Sequence, residues 1–444
     1  MPIPGRPFQM SRHQREEIPV RETRTPSSTV GFLSPYRVLD LTEGRALLAG
    51  QMLARLGAEV IQVEPPGRQT GEQSFVRAAY AAGKRSVTCD LDRPEGRALF
   101  LRLLETADVL IESAEPGAMA RRGLDYATLR EAFPRLVHVS ITPFGSTGPK
   151  AGYAATDLTI WAAGGPLLPA RRDERAPLRI SVPQSLLHAA ADAANGAMVA
   201  LFARRATGRG QHVDVSAQQS VAQATLSSVL AAAVGHENFS IRPQAQNTKG
   251  KTAGRKPLDL SGSGARTGRT KWVVADGVVE LHLAMGPATG RFTNNLFAWM
   301  HEEGACDDRL AAWDWVTLPG RIEANEIGDD EVEHARTLVA AFLAPRTKAE
   351  LIGNAMRRKL LLAPVLTIAD LADSPQLAAR GYFQAVEDAA GRRALLPGAF
   401  AAVDSPAFVP TGAAPEPGRD NAPVYGRIGL AESDIAALQA QGVI

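Results

Sequence analysis

One acidic residue stands where its neighbours suit chemistry. The stretch SITPFGSTGPKAGYAATDLTIWAAGG (Ser140 to Gly165) runs from a strand end through a Gly/Pro loop to Asp157, then into a small-residue apolar segment. A carboxylate at a helix start is stabilised by the helix N-terminus, and the adjoining glycines let a ligand approach the backbone closely. Such a carboxylate can be a nucleophile, and an ordinary helix cap fits the same pattern equally well. His138 lies in an apolar strand and reads as core rather than as a base. Cys89 reads as buried and inert.

Asp157 must be positioned by the elements before it. YRVLDL (Tyr36 to Leu41) reads as a strand, ALLAGQMLARLG (Ala46 to Gly57) as a helix stopping at glycine, and AEVIQVE (Ala58 to Glu64) as the next strand. That is a βαβ unit, which builds parallel sheet. The pattern repeats through RSVTCDL (Arg85 to Leu91), a helix from Pro94 to Ala107, DVLIES (Asp108 to Ser113) and RLVHVSI (Arg135 to Ile141). An Ala-rich helix from Pro183 to Arg205, the strand HVDVSA (His212 to Ala217) and a helix from Gln218 to Val234 follow.

The fold class expected is α/β: a doubly wound, Rossmann-like large domain with a smaller inserted α+β domain. The expected divisions are a disordered tail over 1–31, the first part of the large domain over 32–235, and a linker with a glycine-rich loop over 236–265. A small domain over 266–350 and a C-terminal segment over 351–444 returning to the large domain complete the chain.

Several function classes are disfavoured. The first strand ends in LTEGRALLAG rather than G-x-G-x-x-G, and the chain has neither a G-x-x-x-x-G-K-[ST] loop nor a G-x-S-x-G elbow. The 8 histidines show no metal-ligand spacing. A net charge of +2 with interspersed signs gives no reason to expect nucleic acid. With 2 cysteines in 444 residues there is no disulfide framework, and a cytoplasmic location is expected. No apolar run reaches the roughly 18–20 residues of a membrane span, so no membrane partner is expected.

An ordered set of segments resembles the class III CoA-transferase family, which includes formyl-CoA and carnitine-CoA transferases. The segments are VLDLT (Val38 to Thr42), RLGAEVIQVEPPG (Arg55 to Gly67), GKRSVTCDL (Gly83 to Leu91) and ADVLIESAEPGAMARRGLDY (Ala107 to Tyr126). PRLVHVSITPFGSTGP (Pro134 to Pro149), ATDLTIWAAGG, TGRGQHVDVSAQQ (Thr207 to Gln219) and DSPQLAARGYF (Asp373 to Phe383) continue it. The resemblance begins near residue 34 and is weakest between about 235 and 360.

The resemblance implies CoA transfer from an acyl-CoA to a free carboxylic acid, with Asp157 as nucleophile passing through aspartyl anhydride and aspartyl-CoA thioester intermediates. CoA and acyl-CoA would be substrates, with no permanently bound cofactor and no metal. Lys84 and Arg121 are the expected CoA contacts, with Arg68, Arg45, Ser113 and Phe144 as further candidates. Gly262 and Gly264 of SGSGARTG would supply a lid loop. The family implies an interlocked homodimer, with a heteromer as the alternative.

Two departures alter the expected pocket. LTEGRALLAG replaces the usual A-G-P element after the first strand, and Ser113-Ala114 replaces the usual Asn-Phe. A racemase or epimerase of the same fold would pair a histidine with Asp157. Thr156 precedes it, and His138 is the one histidine near it in sequence, which disfavours that reading. A non-catalytic subunit of a CoA-transferase complex is the third possibility.

Overall fold

A computed structural model describes residues 31–67, 74–167, 182–226, 230, 270–387, 391, 393–402, 408 and 412–444. The chain divides into two compact units, Met1–Gln246 with Gln384–Ile444, and Asn247–Phe383.

The first unit is built on six parallel strands: β1 (Arg37–Leu41), β2 (Glu59–Glu64), β3 (Arg85–Thr88), β4 (Val109–Glu112), β5 (Val137–Thr142) and β6 (His212–Ser216). Their order is β3-β2-β1-β4-β5-β6. The order reverses between β1 and β4, which pair Val38 with Val109 and Leu41 with Glu112. At such a reversal the connections leave to opposite sides, and a crevice opens at the carboxyl ends of the strands.

Alternation along the strands divides the two faces. Val38, Val60, Val109, Ile111, Val137, Val139 and Ile141 pack against the helices α1 (Leu48–Arg55) and α7 (Ser185–Thr207). Between these lie α2 (Ser74–Tyr80), α3 (Pro94–Leu104), α4 (Ala118–Arg121), α5 (Tyr126–Ala132) and α6 (Asp157–Gly164). Leu39, Ile61, Val63, Val87 and Leu110 face the other way, toward Phe100 of α3, Leu129 of α5, and Tyr425 and Ile435 of the C-terminal helices. The returning segment docks on β3: Thr88 N–H donates to Asn421 Oδ1 at 2.9 Å, and the Tyr425 hydroxyl donates to the Thr88 carbonyl at 2.7 Å.

α7 has 23 residues and is long and apolar enough to cross a membrane by length and composition alone. The sequence reading found no such segment. Here Ala189, Ala190, Ala193, Ala194 and Ala197 are buried, and their small side chains seat the helix on the sheet core. One face of α7 is thus part of the core of the large unit, while Val199 and Phe202 on the helix are exposed.

The second unit has its own core, with Trp299, Trp315, Phe297 and Phe342 among its buried side chains. The strands β7 (Lys271–Val274) and β8 (Gly277–Leu281) pair antiparallel as a hairpin turned at Ala275-Asp276. β8 pairs antiparallel with β9 (Leu362–Val365). This pairing carries the unit past residue 350, the expected boundary of the small domain, and its limit falls at Phe383.

Candidate active site

The loop between β5 and α6 is fixed at both ends. Gly145 N–H donates to Thr142 Oγ1 at 2.8 Å. Ser146 gives its N–H to both carboxylate oxygens of Asp214 at 3.0 Å and its hydroxyl to Asp214 Oδ2 at 2.6 Å. Gln218, in α8 (Ala217–Ala222), donates its N–H to the Pro143 carbonyl and its side-chain amide to the Ala163 carbonyl. A Cβ on Gly164 would lie 2.3 Å from Val221 Cγ2, so the glycine run after Asp157 allows α6 and α8 to touch.

Asp157 is the first residue of α6 but does not cap it. Thr156 is the N-cap, in a reciprocal capping box with Thr159. The Asp157 carboxylate instead reaches the start of α7. Its Oδ1 accepts from Gln184 N–H at 2.8 Å, Ser185 N–H at 2.8 Å and Ser185 Oγ at 2.9 Å. One oxygen thus sits in a three-donor nest at a helix N-terminus, where backbone N–H groups lack intrahelical acceptors.

A second contact joins the same two helices. Trp161 lies one turn beyond Asp157, and His188 lies one turn beyond Ser185. Their rings meet edge to face with centroids 6.1 Å apart. His188 is exposed. The expectation that His138 alone lies near Asp157 held only along the chain; in space His188 shares the Asp157 junction. Gln184, Ser185, Trp161 and His188 were all missed. The start of the Ala-rich helix was visible, but nothing in its periodicity ties it to a carboxylate 28 residues earlier.

Lys84 requires a correction. Its side chain is 0% exposed, as is that of Asp40. Nζ donates to Asp40 Oδ2 at 2.7 Å, the Leu47 carbonyl at 2.8 Å and Gln62 Oε1 at 3.1 Å. Burial pushes the amine below its ordinary value, against the pull of Asp40. All three ammonium protons have partners, so Lys84 holds the sheet and does not reach a ligand.

The remaining candidates fall at the carboxyl side of the sheet or beyond the described residues. Arg45 is half-buried in the 3-10 turn Gly44–Leu47 after β1. Ser113 follows β4, and its Oγ accepts from Glu43 N–H at 3.0 Å, joining the two loops at the strand-order reversal. Phe144 follows β5 and meets Tyr153 edge to face at 6.5 Å, with Lys150 Nζ 5.6 Å from its ring. Arg121 is exposed at the end of α4. It adds to the field that holds Asp92 below the usual carboxylate range, a shift set first by the hydrogen bond from Arg122. Arg68, Gly262 and Gly264 lie outside the described residues.

His138 is core, as expected, but not satisfied. It is 1% exposed, and neither ring nitrogen has a hydrogen-bond partner among the described residues. Burial, helped by the nearby His212, pushes its pKa down to about 4. Cys89 is buried, and burial pushes its thiol up to about 12. Among the described residues no group of three or more His, Cys, Asp or Glu could hold a metal.

Residues 33–421 match CoA-transferase family III. One subunit of succinyl-CoA:(R)-benzylsuccinate CoA-transferase from Thauera aromatica is 32% identical over 381 residues, covering 82% of this chain and 87% of the relative. Formyl-CoA:oxalate CoA-transferase from Streptomyces avermitilis is 26% identical over 439 residues, covering 93% and 99%. The crystal structure of a CaiB/BaiF family protein from Brucella suis superposes with a TM-score of 0.69 at 25% identity, covering 90% of this chain and 100% of that one.

Proposed function

Because the chain belongs to CoA-transferase family III, we propose that it moves CoA from an acyl-CoA donor to a free carboxylic acid through Asp157. The observation that carries this reading is the three-donor nest around Asp157 Oδ1. The Asp157 carboxylate attacks the donor thioester carbonyl, CoA thiolate leaves, and a mixed anhydride results. The thiolate then attacks the aspartyl carbonyl and expels the donor acid, leaving an aspartyl-CoA thioester. The acceptor carboxylate attacks that carbonyl, releasing thiolate and forming a second anhydride. The thiolate finally attacks the acceptor carbonyl, which makes the new acyl-CoA and frees Asp157.

Each attack on the aspartyl carbonyl puts negative charge on Oδ1. Gln184 N–H, Ser185 N–H and Ser185 Oγ already stand at 2.8–2.9 Å from it, the range of a working oxyanion hole. CoA would lie across the loops after β1 and β4, with Arg45, Ser113 and Arg121 facing it and Phe144 nearer the thioester. The guanidinium groups suit its phosphates.

A second reading has its own support. Three donors on one carboxylate oxygen also describe a structural tie between α6 and α7, and the Thauera relative is one subunit of its enzyme. On that reading the nucleophile comes from a partner chain and Asp157 only shapes the fold.

Incubation with succinyl-CoA, then mass analysis of the Asp157 peptide, separates the two. A CoA adduct or hydroxylamine-sensitive adduct, lost in Asp157→Ala, supports the covalent route. A folded protein without an adduct, active only with a partner chain, supports the subunit reading. Solvent-proton exchange at the acyl α-carbon without an adduct, lost in His188→Ala, would make the protein a racemase instead. We further propose an interlocked homodimer in the cytoplasm. A monomer by sedimentation, or recovery in a membrane or secreted fraction, would refute each in turn.

A further inference from the structure

Beside the crevice lies a row of polar residues, with Glu112, Ser140 and His138 buried, that the transfer chemistry does not use. Glu112 is the last residue of β4 and pairs in register with Ser140 of β5, which pairs with Asp214 of β6. One rung below, Leu110 pairs with His138 and His138 with His212. These side chains share one sheet face, since residues two apart point the same way.

Glu112 is 5% exposed, yet its carboxylate is engaged on both sides. Oε2 accepts from Ala114 N–H at 2.7 Å, which folds the loop after β4 back on the strand end. Ser140 on the neighbouring strand favours the ionised carboxylate against the rise from burial, and the Ser140 oxygen lies 3.0 Å from His212 Nε2. The His212 ring stacks on Tyr126 at 4.9 Å. Next to Ala114 in the folded-back loop, Ser113 Oγ takes Glu43 N–H from the loop after β1. Glu112 therefore ties the end of β4 to the loop that meets its neighbour across the strand-order reversal.

We infer that Glu112 is a positioning residue: its ionised carboxylate clasps the loop after β4 and, through Ser113, sets the gap in which CoA is received. This rests on the CoA placement proposed above. Protonating Glu112 takes the charge out of the hydrogen bond that Ala114 N–H donates to it and weakens that tie. The two loops then lose their shared geometry, and affinity for CoA falls while the reacting carboxylate is untouched.

The groups facing Glu112 favour its neutral form. Burial raises its pKa above the ordinary glutamate value, and Asp214 on β6 adds to the rise against the hydrogen bonds from Ser140 and Ala114. His212 stands on β6, His138 on β5 and Leu41 on β1, so no cation from a neighbouring strand offsets it at neutral pH. CoA affinity should weaken on the acid side at a higher pH than a solvent-exposed glutamate would allow.

The test is calorimetric binding of CoA to the full chain between pH 8 and pH 5, for the wild type, Glu112→Gln and Ser140→Ala. Wild type should lose affinity through an acid limb. Glu112→Gln, which keeps the shape but does not titrate, should bind about tenfold more weakly at pH 8 and lose that limb; tenfold corresponds to one charge-assisted hydrogen bond at the lower end of its range. Ser140→Ala removes one donor and should move the limb to higher pH, which keeps the inference testable if Glu112→Gln fails to fold. A folded Glu112→Gln with the wild-type limb overturns the inference. A wild type that binds no CoA at any pH instead refutes the placement of CoA on which it rests.

Discussion

Replacing Lys84 by methionine tests whether this residue serves the fold or the ligand. Lys84→Met preserves the length and much of the volume of the side chain but deletes the ammonium. Asp40 would keep Thr42 N–H and Thr42 Oγ1 at 2.9 and 2.6 Å on Oδ1 and lose its charge partner on Oδ2. The Leu47 carbonyl and Gln62 Oε1 would lose their donor as well. Removing one member of a fully buried pair leaves an uncompensated charge, which costs about 3–5 kcal/mol. Lys84→Met with Asp40→Asn removes both charges and should recover most of that loss, so the double-mutant cycle should show strong coupling. Chemical denaturation of the four proteins, compared at one temperature, measures it. If Lys84→Met is as stable as wild type but binds CoA more weakly, the buried-pair argument fails and the CoA contact expected from sequence is restored.

His138 should make stability depend on pH. Its folded pKa is depressed from 6.5 to about 4, so its contribution is present above pH 6.5 and is lost as pH falls toward 4. The loss should approach about 3 kcal/mol, and denaturation of His138→Leu should show a flatter pH profile over that window. Gly50→Ala would place a Cβ 2.0 Å from Asp40 Oδ2 and 3.1 Å from Lys84 Nζ, so thermal melting should fall by an amount equivalent to about 1–3 kcal/mol of overpacking. Tyr425→Phe removes the hydroxyl bond to the Thr88 carbonyl and should cost about 1 kcal/mol, with faster amide exchange in β3 as the companion readout.

Regular spacing carried most of the large unit. The strand segments from Tyr36 to Ile141 fall on β1 to β5, and the Ala-rich run falls on α7 with its end shifted by two residues. Those signals are local: alternating apolar residues, a helix-stopping glycine, Pro94 at a first turn. The site was legible only as far as its chain segments. Asp157 was visible as a carboxylate at a helix start, but the helix it binds begins 28 residues later, and Lys84 read as a CoA contact until Asp40 and Gln62 were brought beneath it. Sequence separation hides such pairings because no periodicity links them. Arg68 and the glycines of SGSGARTG remain expectations from sequence alone.

The edge strand β3 bears on how the chain is made. Its outward backbone groups are met not by another strand but by residues from the far end of the chain: Ser86 N–H by Asp420 Oδ2 at 2.9 Å and Thr88 N–H by Asn421 Oδ1 at 2.9 Å. Side chains cannot propagate a sheet, so this seal denies the edge to any incoming strand. The seal is also late. Asn421 lies 333 residues beyond Thr88, and the whole of the second unit is synthesised between them. A nascent chain therefore carries an open sheet edge until its last segment emerges. Released chains truncated before residue 420 should associate edge to edge, and the full chain should not.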